Sequence, residues 1–235
     1  MLFRSDGAVL ARRRRRLGAL ALEDKPLKAP DAEAVRRAML DGVRQLGLGA
    51  LPWGDELAKW RERIAFLRRQ DESWPDLSDE ALVKSLGDWL APFLDGVSRK
   101  DHLSRVDLGA ALRALLPWEQ QRRLDSLAPT HVEVPSGSRV PIDYTNPAEP
   151  TLSVRLQEMF GLTDTPKIGG GKVPLTIHLL SPARRPVQVT RDLASFWKTG
   201  YRDVKAELKG RYRRHYWPDD PLVAEPTARA KPRPR

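Results

Sequence analysis

Cysteine and long apolar segments are missing from the sequence. None of the 235 residues is cysteine, which excludes a disulfide scaffold, a thiolate zinc site and a thiol nucleophile. No apolar run approaches the roughly 18 residues that a membrane span needs. The apolar stretch Ala8–Leu10 is also too short for the core of a signal peptide, because a run of arginines soon follows it. We therefore expect a soluble, cytoplasmic protein with no membrane partner.

Catalytic motifs are missing as well. The segment Gly169–Lys172 resembles part of a phosphate-binding loop, but that motif requires a glycine where Pro166 lies and a hydroxyl residue where Val173 lies. We predict a glycine turn there instead. The four histidines are scattered without the i, i+4 pair typical of a metal site, and no G-x-S-x-G motif is present. The sequence thus predicts no catalytic residue, no metal, no cofactor and no enzyme activity for this chain.

Positive charge is abundant and unevenly distributed. The chain has 41 Lys and Arg against 31 Asp and Glu, a net charge of +10. Residues 1–28 hold eight basic and three acidic residues, and residues 184–214 hold ten basic and three acidic residues. The block 29–183 between them holds 19 basic and 22 acidic residues and is slightly negative. Two separate blocks therefore carry the positive field, which favours an anionic partner.

The hydrophobic periodicity predicts an α+β chain in four parts. Residues 1–28 show two short strands around a turn, which is too little for a domain, so we expect them to belong to a larger β module. Apolar residues recur at helical spacing over 29–128, which predicts a helical bundle with short connections. After Pro129 the period changes, and we predict a small α+β unit over 129–222. Residues 223–235 are expected to form a disordered basic tail.

Several individual elements have clear local signals. Asp31 can open a helix that Gly47 ends, and Ser78 can cap a longer helix whose apolar face reaches Phe93. Alternation predicts a β-hairpin with arms at 131–134 and 139–144, followed by a short helix over 152–160. Four tryptophans are expected in the core or at the edge of the bundle: Trp53, Trp60, Trp89 and Trp118.

Two sets of basic residues are candidate nucleic-acid contacts. In a strand, alternate arginines share one face and lie about 6.5–7 Å apart, which is similar to the phosphate spacing of an extended single strand. Such a run can also be a solvated edge that resists aggregation. The second set mixes with tyrosines, as in a groove that follows the backbone and stacks some bases, although an amphipathic helix with a wet face has the same pattern. The first set is Arg12, Arg14 and Arg16, and the second is Arg184, Arg185, Arg191, Lys198, Arg202, Lys205, Lys209, Arg211, Arg213 and Arg214.

Several longer segments carry a family resemblance. They are 12–20, Leu116-Pro-Trp-Glu119, 154–163, 173–182, 185–193, 211–221 and 225–233. They resemble the C-terminal portion of the HrpB family of bacterial DEAH-type ATP-dependent helicases. The resemblance implies a parent with two RecA-like lobes, a winged helix, a helical ratchet region and an OB-like module. In that parent, ATP and Mg²⁺ would drive movement along nucleic acid, RNA in particular.

The resemblance assigns this chain to a part of the helicase outside its ATPase core. Residues 1–28 would be the end of the OB-like β module, and the remainder an accessory C-terminal extension. The Walker A loop, the DEAH box and the arginine finger have no counterpart in the 235 residues, so no catalytic residue of the family carries over.

Two functions from different classes remain open. In the first, the chain grips single-stranded nucleic acid, RNA in particular, for the helicase core that is missing from it. In the second, it is a module that docks a protein partner, and its basic surface serves solubility. Salt-sensitive binding to single-stranded RNA separates them, because phosphate contacts release counterions and weaken as salt rises.

Overall fold

The computed structural model describes residues 2–3, 7–10, 12–17, 19–26 and 31–230. Helix and sheet are mixed, as the sequence predicts, and the chain divides into two compact units. The first comprises Met1–Arg61 and Ser73–Gln121, and the second comprises Glu62–Glu72 and Arg122–Arg235. The division does not follow the domain limits expected from the sequence, because two helices continue from the first unit into the second.

The first unit contains short strands followed by helices. The strands form two separate two-stranded antiparallel sheets, β1 with β2 and β3 with β4. The OB-like character of this region remains a prediction. The elements, including the two helices that continue into the second unit, are β1 (Leu2–Phe3), β2 (Val9–Leu10), β3 (Arg12–Leu17), β4 (Leu20–Pro26), α1 (Ala32–Leu46), α2 (Asp55–Gln70), α3 (Asp79–Lys84), α4 (Leu86–Trp89), α5 (Leu108–Arg113) and α6 (Trp118–Leu127).

Side-chain caps fix the starts of the helices as expected. The Asp31 carboxylate accepts a hydrogen bond from Ala34 N at 3.0 Å and opens α1. The Ser78 hydroxyl accepts one from Ala81 N at 3.2 Å and opens α3. The single helix expected from Ser78 to Phe93 is wrong, because the chain breaks at Ser85 into α3, α4 and a 3₁₀ turn at Ala91–Phe93.

The interior of the first unit consists mainly of leucines. The fully buried side chains include Leu82, Leu86, Leu90, Leu103, Leu108 and Leu112. Trp89 is also buried, and its indole N–H donates to Leu82 O at 3.0 Å. Trp118 differs from the expectation, since 70% of it is exposed at the start of α6. It therefore does not belong to the core.

The second unit is built around a five-stranded sheet in the order β11-β10-β7-β6-β5. Strands β7 and β10 are parallel, and the other neighbours are antiparallel. A π-helical turn at Phe196–Gly200 joins the two C-terminal helices. The elements are β5 (His131–Glu133), β6 (Arg139–Asp143), β7 (Thr151–Arg155), β8 (Lys167–Ile168), β9 (Val173–Pro174), β10 (Thr176–Leu180), β11 (Pro186–Thr190), α7 (Leu193–Ser195) and α8 (Tyr201–Arg211).

The predicted hairpin is confirmed, and the helix predicted over 152–160 is wrong. Strands β5 and β6 pair across the turn as expected. Residues 151–155 form the central strand β7, in which Leu152 and Val154 are buried and Ser153 is exposed. A 3₁₀ turn at Leu156–Met159 follows. The strand forms because it pairs with β6 on one side and β10 on the other, and such pairing overrides local helix propensity.

The C-terminal segment 221–230, here called the strap, is ordered against the second unit. Pro221 O accepts from Gly161 N at 3.0 Å, and Thr227 N donates to Gln157 O at 3.0 Å. Ala224 is buried between these contacts. The expected disordered tail is therefore wrong for residues 223–230, and residues 231–235 lie outside the described part of the chain. Among the described helices, none combines the length and apolar composition needed to cross a membrane.

Close packing at Gly42 generates a stability prediction. A Cβ at this position in α1 would lie 2.6 Å from Cγ of the Phe3 ring. Alanine for glycine normally stabilises a helix by about 0.5–1 kcal/mol, but Gly42→Ala should destabilise the protein by about 1–3 kcal/mol because the ring is displaced. Urea denaturation monitored by circular dichroism measures the difference.

The matched control is Gly87→Ala in α4, where no atom lies within 4 Å of the added Cβ. This variant should be neutral or slightly more stable than the native chain. The cost of Gly42→Ala should also disappear in a Phe3→Ala background. An equal cost in both backgrounds would rule out the Phe3 contact as its cause.

Candidate nucleic-acid interface

The arginine run near the N-terminus lies in a strand, which is the condition under which alternate arginines share a face. Strand β3 covers Arg12–Leu17 and pairs antiparallel with β4. The backbone register places Arg14 opposite Asp24 and Arg15 opposite Glu23. The side chains of Arg12, Arg14 and Arg16 lie outside the described part of the structure, so their common face stays a prediction.

Two basic segments of the second unit meet at one place. The Tyr212 hydroxyl lies 3.5 Å from the Ser181 hydroxyl, which joins the end of α8 to the turn between β10 and β11. Five exposed arginines lie on these two segments, and we call them the C-terminal basic cluster: Arg184, Arg185, Arg211, Arg213 and Arg214. The structure thus brings together half of the second predicted set.

The β10–β11 turn is built around Ser181. Ser181 N donates to Arg185 O at 2.8 Å, and Arg184 N donates back to Ser181 O at 2.8 Å. The Ser181 hydroxyl also accepts from Arg185 N at 3.1 Å. Arg184 has a φ of +60°, a left-handed conformation that costs a non-glycine residue about 1–2 kcal/mol. Glycine or asparagine would suit this backbone better, so backbone preference does not explain the arginine.

One flank of α8 holds Arg202, Lys205 and Lys209, as the helical spacing predicts. Arg202 and Lys209 are exposed. The Lys205 ammonium instead donates to Asp219 Oδ1 at 2.5 Å, and the Lys205 side chain is only 16% exposed. Lys205 is therefore not the free cation that the sequence analysis expected.

Asp219 occupies the middle of this flank. The hydrogen bond from Lys205 holds the pKa of the Asp219 carboxyl below its usual range, and the charges of Lys205 and Lys209 lower it further. The carboxylate is thus ionised at neutral pH. It neutralises one cation and reduces the field of the next, so this flank attracts phosphate less than its sequence indicates.

The remaining predicted cations, Arg191 and Lys198, are both exposed. Arg191 follows β11, and its carbonyl accepts from the Thr165 hydroxyl at 3.0 Å. Lys198 lies in the π-helical turn. Neither belongs to the two segments that the Tyr212–Ser181 contact joins.

Two aromatic residues near the second basic set, Tyr201 and Trp217, are bonded within the protein. Tyr201 is buried, its hydroxyl donates to Pro218 O at 2.8 Å, and burial raises its pKa. Its ring packs against Phe160 and Trp197 at centroid distances of 6.1 and 5.6 Å. Trp217 is half-buried and donates to Tyr212 O at 3.0 Å. Tyr201 and Trp217 therefore position the chain around the cluster.

Sequence reasoning missed Gln157, which anchors the segment that follows the cluster. Only 2% of it is exposed. Its Oε1 lies 3.1 Å from His215 Nδ1, its side-chain amide N lies 3.4 Å from Tyr216 O, and its backbone carbonyl accepts from Thr227 in the strap. A polar residue inside the buried run 156–160 was the available signal, but its partners lie about 60 residues further along the chain.

His215 has an unusual electrostatic setting in this network. Burial lowers its pKa, and the positive charge of Arg155 lowers it further. The neutral imidazole is therefore the form that the folded protein favours.

The glycine turn is confirmed and does not fit a nucleotide. Gly169, Gly170 and Gly171 have φ values of +64°, +68° and +81° and close the hairpin between β8 and β9. A phosphate-binding loop leads from a strand into a helix, which this turn does not. The residues of this turn therefore do not form a phosphate-binding loop. Across the described residues, no group of three or more His, Asp or Glu side chains is arranged to hold a metal ion.

The family model of the ATP-dependent helicase C-terminal domain of HrpB matches residues 89–221. The chain belongs to this family. It is 44% identical over 229 residues to the ATP-dependent RNA helicase HrpB of Escherichia coli strain K12, and the alignment covers 97% of this chain. The chain spans 28% of the length of that relative. The resemblance to the C-terminal portion of HrpB is confirmed.

Two solved structures of HrpB are also similar. A crystal structure of the E. coli DExH-box NTPase HrpB has a TM-score of 0.79 and 45% identity, covering 93% of this chain and 27% of that one. A crystal structure of the E. coli DEAH/RHA helicase HrpB has a TM-score of 0.67 and 43% identity, covering 88% and 26%. The C-terminal basic cluster lies within the residues that the HrpB family model matches.

The lowered pKa of His215 predicts acid sensitivity. Unfolded, the imidazole gains a proton as the pH falls below about 6.5, whereas in the folded chain it resists protonation. The unfolded state then binds more protons, so stability decreases with pH from about 6.5 down to the folded pKa. Melting temperatures between pH 7.5 and 5.0 should fall more steeply for the native chain than for His215→Gln.

The matched control is His102→Gln, which replaces a histidine outside the contact between His215 and Gln157. It should follow the native pH dependence. Parallel melting curves for the native chain and His215→Gln would contradict the assignment to His215.

Proposed function

We propose that the chain is the nucleic-acid-gripping accessory part of a cytoplasmic, ATP-dependent RNA helicase of the HrpB type. The observation that carries the proposal is the C-terminal basic cluster, in which five exposed arginines from two chain segments meet. The partner is single-stranded RNA. ATP and Mg²⁺ act in the ATPase core of the parent helicase, with which this chain works.

The chemistry of the cluster favours the phosphate backbone over base edges. Guanidinium groups donate paired N–H bonds that match phosphate oxygens. No Asn or Gln lies within the segments 181–185 and 211–214, and amide side chains are common readers of base edges. Contacts to phosphates position a protein without reading sequence. The grip is therefore expected to accept unrelated RNA sequences.

Other cations extend the interface with different weight. Arg191, Lys198, Arg202 and Lys209 are exposed and available to phosphates. Lys205 contributes little while Asp219 holds it. In the first unit, Arg12, Arg14 and Arg16 are proposed as a further contact because they alternate along strand β3.

Charge reversal of the cluster tests the grip. Arg211→Glu, Arg213→Glu and Arg214→Glu together should weaken binding of unrelated single-stranded RNAs about equally. The dependence of log affinity on log salt should become shallower by roughly 0.7 for each lost phosphate contact. Fluorescence anisotropy at several salt concentrations measures both.

A control of equal net charge replaces three exposed cations of the first unit: Lys59→Glu, Lys84→Glu and Arg105→Glu. This variant should keep most of the affinity and the native salt dependence. An equal effect of both triple variants means that net charge, rather than the cluster, drives binding. If neither triple variant changes RNA affinity, the basic surface does not bind RNA and serves solubility instead.

Arg184 allows the roles of charge and stability to be separated. Arg184→Gly removes one cation and relieves the left-handed strain at φ +60°. Urea denaturation should show a free energy of unfolding that is unchanged or higher by up to about 1 kcal/mol. The relieved backbone strain stabilises the folded state, and the greater conformational entropy of glycine in the unfolded chain partly cancels that gain. RNA affinity should nevertheless fall. Unchanged affinity at low and high salt would remove Arg184 from the interface.

The alternative, a module that docks a protein partner, has one observation in its favour. Trp118 is 70% exposed at the start of α6, and exposed aromatic residues are enriched at protein interfaces. This alternative predicts salt-insensitive, negligible RNA binding by the native chain. The anisotropy experiment above therefore also decides between the two functions.

A further inference from the structure

The five-stranded sheet of the second unit has one face turned away from the core. In β7 and β10, Leu152 and Ile177 are paired and fully buried. Their neighbours Ser153 and His178 pair with each other, so they project from the opposite face. Ser153 is exposed and His178 is half-buried. We call this side the open face.

One row of side chains crosses the open face. His178 lies opposite Val189 in β11, and Pro141 in β6 lies opposite His131 in β5. Pro141 and Ser153 adjoin the paired core residues of β6 and β7, so both belong to this row. With strands about 4.8 Å apart, the row extends about 19 Å. We call it the strip: His131, Pro141, Ser153, His178 and Val189.

The strip contains no lysine, arginine or carboxylate, although the face around it is charged. Val189 is 51% exposed, and Pro141 and His131 are also exposed. An ordinary solvated face would alternate charged and polar side chains with the buried ones. The strip instead consists of two imidazole rings, a short hydroxyl side chain and two apolar side chains, which together offer an uncharged contact to another molecule.

Charged side chains of both signs surround the strip. Arg139 and Arg155 lie two residues from it in β6 and β7, and Arg191 follows Val189 by two residues. Arg155 is partly occupied, because it donates to Ala228 O in the strap and lies 3.8 Å from Glu158. The carboxylates are Glu133, opposite Arg139, Asp143, opposite Thr151, and Glu149, which accepts from the Thr176 hydroxyl at 3.0 Å two residues before His178.

The strip also leads to the C-terminal basic cluster. Strand β10 carries His178 and ends two residues later at Leu180, and the cluster's turn begins at Ser181. A single strand whose phosphates contact Arg184 and Arg185 at this turn can therefore continue along β10 toward His178. Its bases would have a flat, uncharged row next to them.

We propose that the strip binds the bases of single-stranded RNA, with the His178 imidazole as the stacking residue. The proposal rests on the proposed function, because the cluster holds the phosphates next to the strip. Aromatic rings, including histidine, stack unpaired bases without reading their sequence. Ser153 beside the ring leaves room for a base, since its side chain is short. Pro141 and Val189 provide apolar contact on either side.

Binding of two oligomers to the full chain tests the proposal. One is a single-stranded RNA, and the other is an abasic ribose-phosphate oligomer of the same length. His178→Ala should weaken RNA binding about fivefold or more, as expected for loss of a stacked base. It should leave binding of the abasic oligomer unchanged. His178→Phe should retain most of the RNA affinity, because it keeps an aromatic ring.

A second variant tests the strip at an exposed position, because His178 is half-buried and replacing it could disturb the fold. Ser153→Ile is at an exposed position and suits a strand, but its side chain fills the space beside the ring. It should weaken RNA binding and spare the abasic oligomer. Circular dichroism and melting temperature verify that both variants fold.

The outcomes separate this proposal from the function on which it rests. If His178→Ala and Ser153→Ile bind RNA like the native chain while the Arg211, Arg213 and Arg214 variant does not, the strip is not a base-binding surface and the grip stands. Equal losses on RNA and on the abasic oligomer also overturn base contact. If only the strip variants weaken RNA binding, the cluster is not the grip, and the proposal that the cluster holds the phosphates beside the strip is overturned with it.

Discussion

The second unit depends on the segment 151–160. Its first half is the central strand β7, paired with β6 and β10, and its second half, from Leu156 to Phe160, is completely buried. Every polar group in such a segment needs a partner inside the protein. Gln157 obtains its partners from His215, Tyr216 and Thr227. The same bonds that satisfy Gln157 therefore fix the chain after α8 and hold the strap in place.

This dependence links the core to the surface. Phe160 packs against Trp197 and Tyr201, which fixes the start of α8. Gln157 fixes the residues after the end of α8, and Tyr212 joins that end to the β10–β11 turn. The C-terminal basic cluster is thus held between two attachments to one buried segment. Preorganised arginines lose less conformational entropy on contact with an anion than arginines on a mobile tail.

Sequence reasoning succeeded where a signal was local. Asp31 and Ser78 cap helices that begin where these residues predict, and the β5–β6 hairpin forms across its Pro-Ser-Gly-Ser turn. Strand β7 was missed because its state depends on two neighbours, one of them parallel and more than 20 residues away. The strap was missed because its proline-rich composition resembles disorder, while its order comes from bonds to Gln157 and Arg155. Such long-range contacts leave no pattern in a single sequence.

The candidate site shows the same limit for charge. Helical spacing correctly placed Arg202, Lys205 and Lys209 on one flank, but spacing does not reveal that Asp219 neutralises Lys205. The strip was also invisible before the strand register was known, because its residues come from five separate strands. A list of basic residues therefore overstates the free positive charge of the proposed interface and cannot include the uncharged strip proposed beside it.

Formal charge and available charge differ in this protein. Arg63 is buried and bonded to Asp125 and Ala128 O, and Lys205 is shielded by Asp219. These cations stabilise the fold and are withdrawn from solvent. Arg184, in contrast, is exposed to solvent. It lies on a turn where its backbone has a left-handed conformation that disfavours a non-glycine residue. In the proposed function, this exposed guanidinium contacts RNA phosphate, whose oxygens match its paired N–H donors.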